Sequence, residues 1–346
     1  MTNVTIGMDL GDKNHEVCVL DQKGHVMDRF AVGNTRKQLQ KVFLPYAGAL
    51  VAMENGTHSP WISRDLKALG CKVLVGNARK LRMIWARSQK TDVKDAEMLA
   101  RIARFDRQLL YPIYHRSQQA QIDLEQIKAR DLLVRLRTDL INHVRSTVKA
   151  IGERLPACSA DCFHKRAQTF MPDSLRTALM PLVEQIASLS QQIQGYECKI
   201  EQLALTVYPE TACLQQIQGV GLITSLAFIL TLESPDRFDK SRAVGPHLGL
   251  TPRQDQSGSC DKQLRISKEG DVYLRRLLVS CAQYILGRYG QDSDLRRYGE
   301  RLIARGGRGA KRKAVVAVAR KLAVLLHRLW STGEVYQPLY NARKAA

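Results

Sequence analysis

From Gln118 to Ile151 the chain runs without a Gly or Pro, and Leu133, Leu136, Leu140, Val144, Val148, Ile151 and Leu155 recur at spacings of three or four. That is the period of one apolar helix face, so a long helix is predicted here. A second run is stricter: Leu182, Ile186, Leu189, Ile193, Tyr196, Ile200 and Leu203 alternate by four and three, the seam of a coiled coil. The Pro-containing connection 156–181 joins the two helices either as an antiparallel hairpin or as an arm that pairs with a second copy. Any further structure must be arranged on the two sides of this helical middle.

On the N-terminal side the pattern changes to strands. Val4–Asp9, His15–Leu20 and Val26–Ala31 read as a meander turned at Asp21-Gln22-Lys23-Gly24. Helical Gln38–Tyr46 then precedes an apolar strand, Leu50–Met53, and helical Trp61–Leu69 leads to the strand Lys72–Val75. The order βββαβαβ predicts an α/β layer with a mixed sheet, followed by a helix over Val93–Arg104. On the C-terminal side, helix, Gly219-Val220-Gly221 and helix span Leu214–Leu232. A Gly/Pro-rich stretch follows from Val244 to Gly258, then helices to the end, broken at Gly306-Gly307-Arg308-Gly309.

Charge narrows the function. The 346 residues carry 53 Lys and Arg against 33 Asp and Glu, a formal net charge of +20, which points to a polyanion, with nucleic acid first. Between Lys262 and Arg328 there are 17 basic and 5 acidic residues, net +12 of that +20. The eight cysteines form no CxxC pair, the chain starts without an apolar signal segment, and no apolar run reaches a membrane span, so a reduced, cytoplasmic protein with no membrane partner is expected. With 45% hydrophobic and 25% charged residues the chain is a folding one, long enough for two or three domains.

Four carboxylates stand where chemistry could gather. Asp9 ends the first strand and Glu54 the fourth, while Asp92 and Asp95 open a helix three residues apart, projecting from one face toward the positive end of the helix dipole. Four hard oxygen donors suit Mg²⁺, and two such ions could serve phosphodiester cleavage. An Asp at a strand end or helix start also serves commonly as a cap or a solvated side chain. The βββαβαβ order followed by an acidic helix matches an RNase H-like metal nuclease layout.

Gly7-Met8-Asp9, Met53-Glu54-Asn55-Gly56-Thr57 and Lys90-Thr91-Asp92-Val93-Lys94-Asp95-Ala96 resemble the three blocks of the DEDD insertion-sequence recombinases. That family includes the Piv DNA invertases and the bridge-RNA-guided transposases. The second half is similar to the family's C-terminal domain in order: Gly219-Val220-Gly221, Gly249-Leu250-Thr251-Pro252-Arg253, Ser257-Gly258, Arg265-Ile266-Ser267-Lys268-Glu269-Gly270 and Leu274-Arg275-Arg276. The resemblance implies a RuvC-like domain over 1–115 whose Asp9, Glu54, Asp92 and Asp95 hold Mg²⁺. It also implies coiled-coil oligomerisation helices over 116–212, and a mainly α-helical transposase domain over 213–346 with Ser257 as nucleophile. In the family the serine forms a covalent phosphoserine link, and carboxylates and serine come from different protomers of a tetramer. Family members often carry a Lys three positions after the first aspartate, where this chain has Asp12, followed by Lys13.

By local sequence alone Ser257-Gly258-Ser259 is a turn, and a serine needs a base or a metal to become a nucleophile. Gly219 and Gly221 either turn two helices tightly or expose backbone N–H groups to a phosphate, as in helix-hairpin-helix modules. Arg79, Lys80, Arg82, Arg87 and Lys90, grouped with Trp85, and then Arg253, Arg265, Lys268, Arg275, Arg276, Lys311, Arg312 and Lys313 are the expected nucleic-acid contacts. They suit backbone neutralisation better than base reading. The expected partners are double-stranded DNA, a guide RNA that would read sequence by pairing, and further copies of the chain as a dimer or tetramer. The expected activity is DNA recombination. The alternatives are a Piv-like invertase without RNA, a metal-only nuclease resembling Holliday-junction resolvases, and a non-catalytic nucleic-acid scaffold.

Overall fold

The computed structural model describes residues 4–81, 91–258 and 260–341. Its contacts divide the chain into two compact units, Met1–Gln118 and Gln119–Ala346.

The first unit is built on a five-stranded mixed sheet. Strands β1 (Thr5–Leu10), β2 (Asn14–Leu20) and β3 (Val26–Gly33) form the antiparallel meander, and β4 (Leu50–Glu54) and β5 (Lys72–Gly76) add parallel to it, in the order β3-β2-β1-β4-β5. Period-2 alternation splits each strand between two faces. Ile6, Met8, Val17, Val19, Val51 and Met53 point to one face, where Leu39 and Phe43 of α1 (Arg36–Phe43) and Ile62 and Leu66 of α2 (Ser59–Ala68) cover them. The other face carries Gly7, Cys18, Leu20, Leu50 and Ala52, and helix α3 (Asp92–Phe105) lies on it through Ala96, Leu99, Ala100 and Ala103. The sheet order and its two covered faces are those of an RNase H-like layer.

The approach of α3 to the sheet is unusually close at one point. A Cβ placed on Gly7 would sit 1.9 Å from the carbonyl oxygen of Ala96 and 2.5 Å from the backbone nitrogen of Ala100. The helix backbone itself therefore rests on β1, with small side chains on either side of the crossing.

In the second unit, α4 (Gln118–Ala150) and α6 (Asp173–Thr206) are 33 and 34 residues long, about 50 Å each at 1.5 Å per residue. They run antiparallel: Arg130 pairs with Glu197, Arg137 reaches Ser190, and the Tyr208 hydroxyl just beyond α6 donates to Asp123 at 2.8 Å. The apolar seam is used within the chain. Ile141, Val144 and Val148 pack with Leu179, Val183 and Ile186 at the far end, while Ala120, Leu124 and Ile127 pack with Ile200 and Ala204 at the base. Of the two arrangements open to the sequence, the structure has the hairpin. Two features escaped the pattern: α6 begins at Asp173 and carries Pro181 inside it, and a short helix, α5 (Phe163–Phe170), fills the connection.

The base of this hairpin joins the C-terminal core, made by α7 (Thr211–Gln215), α8 (Leu222–Leu232), α9 (Val244–His247), α10 (Val272–Ile285), α11 (Asp294–Ala304) and α12 (Ala310–Thr332). Strands β6 (Pro252–Ser257) and β7 (Cys260–Ile266) pair as an antiparallel ribbon; β6 lies in the Gly/Pro-rich stretch, while β7 stands where helix is expected from the sequence. No helix among the described residues is long and apolar enough to cross a membrane.

Replacing Gly7 with Ala must push α3 off the sheet, since the clash is with backbone. Overpacking of this kind costs about 1–3 kcal/mol, so Gly7→Ala should lower the urea midpoint of the N-terminal unit, followed by circular dichroism, by that free energy divided by the m-value. An unchanged midpoint would mean that the helix is free to lift.

Candidate active site

The carboxylates follow from the sheet's parity. In the parallel pairing of β1 with β4, Gly7 lies beside Ala52 and Met8 beside Met53, so the next residues, Asp9 and Glu54, stand side by side at the carboxyl ends of adjacent strands. Neighbouring strands are about 4.8 Å apart, and both side chains share the face of Gly7 and Ala52, the face that α3 covers. Each is partly exposed.

Helix α3 supplies the other two. Thr91 caps it, its side chain accepting from the Lys94 N–H, and Asp92 and Asp95 occupy the first turn. Asp95 is 7% exposed and precedes Ala96, the residue whose backbone touches β1 at Gly7; Asp92 is exposed one turn earlier. All four acids thus belong to one sheet face and the helix that lies on it. Among the described residues no group of three or more His, Cys, Asp or Glu side chains closes into a finished metal site. The donor chemistry nevertheless fits a hard divalent cation: four carboxylates on rigid elements, with neither soft sulfur nor imidazole among them.

Beside Glu54 lies a polar group that the sequence does not announce. The Ser59 hydroxyl donates to the Gly56 carbonyl (2.8 Å), accepts from the Gly56 N–H (3.1 Å) and meets His115 Nε2 at 2.8 Å. Burial, reinforced by the positive charges of Arg64, Lys67 and Arg116, lowers the His115 pKa to about 4, so the ring is neutral near pH 7. On the other side of the same loop His58 Nε2 lies 3.3 Å from Asp12.

In the second unit Ser257 ends β6, exposed, beside Gly258 at φ +56°. The ribbon carrying it is anchored by a tight backbone crossing. A Cβ on Gly249 would lie 2.3 Å from the Glu269 nitrogen, and one on Gly270 would lie 2.0 Å from the His247 oxygen. Both glycines also have positive φ, so the segments entering and leaving the ribbon touch through residues that tolerate no side chain.

Arg275, expected at the nucleic-acid surface, has a structural role as well. It is 8% exposed, and its Nη1 donates to the carbonyls of Leu248 (2.9 Å) and Glu269 (2.7 Å), one on each side of the crossing. A guanidinium buried to satisfy carbonyls serves as a structural clamp. Its neighbour Arg276 is tied to Asp131 of α4 at 2.6 Å and stacks over Tyr273, so much of its charge is matched within the protein.

The other basic residues stand as follows. Arg253, Arg265 and Lys268 are exposed on or beside the ribbon, and Arg79 and Lys80 are exposed after β5, with Lys80 over the Tyr111 ring. Lys311, Arg312 and Lys313 are all exposed in the first turn of α12, with no acidic residue in that turn. Gly219 takes φ +92° against the Tyr284 ring, a turn that only glycine makes easily, and Gly221 caps α8 with open space around it. Arg82, Arg87 and Lys90 lie outside the described residues.

Comparison with known proteins agrees at both ends of the chain. The DEDD IS110 model, described as transposase, matches residues 6–152, and the model described as transposase IS116/IS110/IS902 family matches residues 211–300. The similarity extends over whole proteins. A "probable family 20 transposase" of Pseudomonas aeruginosa is 28% identical over 96% of this chain and 98% of its own length. The transposase for insertion sequence element IS1111A of Coxiella burnetii is 26% identical over 96% and 91%, and that for IS1328 of Yersinia enterocolitica 28% over 97% and 99%.

The clamp has a measurable signature. Arg275→Gln should lower the thermal midpoint, because it leaves two buried carbonyls short of a donor, about 1–3 kcal/mol in all. It should leave unchanged the log–log slope of DNA affinity against salt, read by fluorescence anisotropy. A flattened slope would return Arg275 to the DNA surface.

Proposed function

Since the chain belongs to the DEDD IS116/IS110/IS902 transposase family, enzymes that cleave and rejoin DNA, we propose that it does so by a phosphoserine route in which Asp9, Glu54, Asp92 and Asp95 act with Ser257. The observation that supports the reading is that Asp9 and Glu54 end adjacent parallel strands on the sheet face covered by α3, whose first turn carries Asp92 and Asp95.

A divalent cation, Mg²⁺ in this reading, would be held by those four carboxylates and would supply charge neutralisation and Lewis acidity to the scissile phosphate. The protein's own steps are these. Ser257 Oγ forms a bond to phosphorus as one P–O bond to deoxyribose breaks. The serine proton passes to an acceptor, and the leaving oxygen takes one up to become a hydroxyl. Attack of another DNA hydroxyl on the phosphoserine reverses the sequence and restores Ser257, so the phosphodiester energy is conserved for rejoining. Exposure of Ser257 at the end of a ribbon supports this role, since a nucleophile for duplex DNA must project from the surface.

The carboxylates and Ser257 belong to different compact units. In this reading the carboxylates and the serine are supplied by different protomers of a dimer or tetramer. Basic residues hold the DNA backbone. Three cations in the first turn of α12 oppose its dipole, an arrangement that costs stability alone and is relieved by phosphate. A guide RNA would read the target by base pairing while the exposed cations neutralise the backbones.

Asp9→Asn, Glu54→Gln, Asp92→Asn and Asp95→Asn should each abolish recombination in Mg²⁺ while DNA binding persists; near-normal activity in any two would remove the assignment. Ser257→Ala should lose both cleavage and the detergent-resistant protein–DNA adduct that wild-type protein leaves on a nicked substrate. Mixing Ser257→Ala with Asp9→Asn protein should restore partial recombination if protomers share the site. Normal cleavage by Ser257→Ala would mean that water is the nucleophile.

A further inference from the structure

Glu54 ends β4, and the chain then leaves the sheet through Asn55, Gly56 and Thr57, all exposed. Nothing packs on the Cβ side of Gly56, where an added Cβ would find no atom within 4 Å. A carboxylate followed directly by such a loop holds its place to a fraction of an ångström only if polar ties fix the loop. The loop has such ties. The Asn55 N–H donates to the Gly76 carbonyl at 2.9 Å, and both backbone groups of Gly56 bond to the Ser59 hydroxyl.

Ser59 is completely buried, so its oxygen must itself be held. Its oxygen lies within hydrogen-bond distance of the Gly56 carbonyl and N–H, of Asn55 Oδ1 at 3.4 Å and of His115 Nε2 at 2.8 Å, so the ring is one of the groups that fix it. The segment bearing His115 is fastened along the edge of the sheet. Ile113 N–H donates to the Val75 carbonyl (2.8 Å), Asn77 N–H to the Leu110 carbonyl (3.0 Å), and Arg64 to the Arg116 carbonyl (3.0 Å). His115 thus connects a fixed strap to the loop that follows Glu54.

We infer that His115 is a positioning residue for Glu54, acting through Ser59 and Gly56, and that it sets the affinity of the carboxylate group for a divalent cation. The inference rests on the metal-binding reading above. His115 touches no reacting atom; it acts on the loop geometry. Burial, reinforced by the neighbouring cations, keeps its ring neutral, so that it ties Ser59 by a hydrogen bond without adding a charge beside the carboxylates. Outer groups that orient a metal-binding carboxylate are typically worth 10–100-fold in affinity when removed.

The test is Mn²⁺ binding to the full-length protein without DNA, by titration calorimetry or electron paramagnetic resonance, alongside thermal melting. His115→Ala should weaken Mn²⁺ binding at least tenfold at a temperature where the protein remains folded. His115→Gln, whose side-chain amide N–H reaches the Nε2 position, should recover most of that loss. A merely structural role predicts a lower melting point with Mn²⁺ affinity intact, and that result overturns the inference. Equal affinities in wild-type and His115→Ala protein likewise overturn it while leaving the four-carboxylate reading standing. Wild-type protein that binds no Mn²⁺ would overturn both. If His115→Ala does not fold, the glutamine variant against Ser59→Ala decides: weak binding in the second with strong binding in the first supports the chain of contacts, and equal binding refutes it.

Discussion

Helix α3 can lie on the sheet only because residue 7 has no side chain. With backbone against backbone at Ala96, the first turn of α3 comes down at the level where β1 and β4 end, and that height decides where Asp92 and Asp95 stand relative to Asp9 and Glu54. Close packing transmits the constraint: Ala96, Ala100 and Ala103 are small where the crossing is tight, and Leu99 fills the space beside Ala52 where it opens. A helix held a side chain's width higher would carry two of its four acids away from the strand ends. The chemistry of the N-terminal unit thus hangs on an absence of atoms two residues before its first carboxylate.

The C-terminal unit repeats this economy of small residues with a charge added. Gly249 and Gly270 let two segments touch, and the buried guanidinium of Arg275 bridges the carbonyls on either side. The result is a fixed root for an otherwise exposed ribbon, so that Ser257 can project into solvent without its strand wandering. Basic residues consequently divide into two physical kinds. Arg275, and in large part Arg276, satisfy acceptors inside the protein, as Arg137 does with Asp161 and Ser190 at the arm. The ribbon cations and the three at the start of α12 face outward.

Where the apolar pattern was strong, the sequence was legible. The βββαβαβ order, both strand-end acids and the long helices were readable because burial on alternate or three-and-four positions leaves a period in the residues. The ribbon was not, since Pro-Arg-Gln-Asp-Gln-Ser is exposed throughout and has no buried face to impose alternation. Arg275 looked like any other cation in a basic stretch; its burial comes from a backbone crossing remote in sequence, signalled only by the two glycines. Pro181 masked the start of α6, because a proline ordinarily ends a helix and here sits inside one. His115 left no trace at all: a lone histidine becomes meaningful only when the fold sets a buried hydroxyl 2.8 Å away.

The cationic first turn of α12 carries one more implication, for the free protein in solution. Lys311, Arg312 and Lys313 repel one another and the positive end of their helix, and mobile ions screen that repulsion over roughly a Debye length, about 10 Å at 0.1 M salt. The same ions compete with the protein for a polyanion. Added electrolyte therefore pushes two equilibria in opposite directions, firming the unliganded fold at this helix while loosening its grip on nucleic acid. A bound polyanion takes over the work of the salt, so in dilute buffer ligand and folding stability rise together.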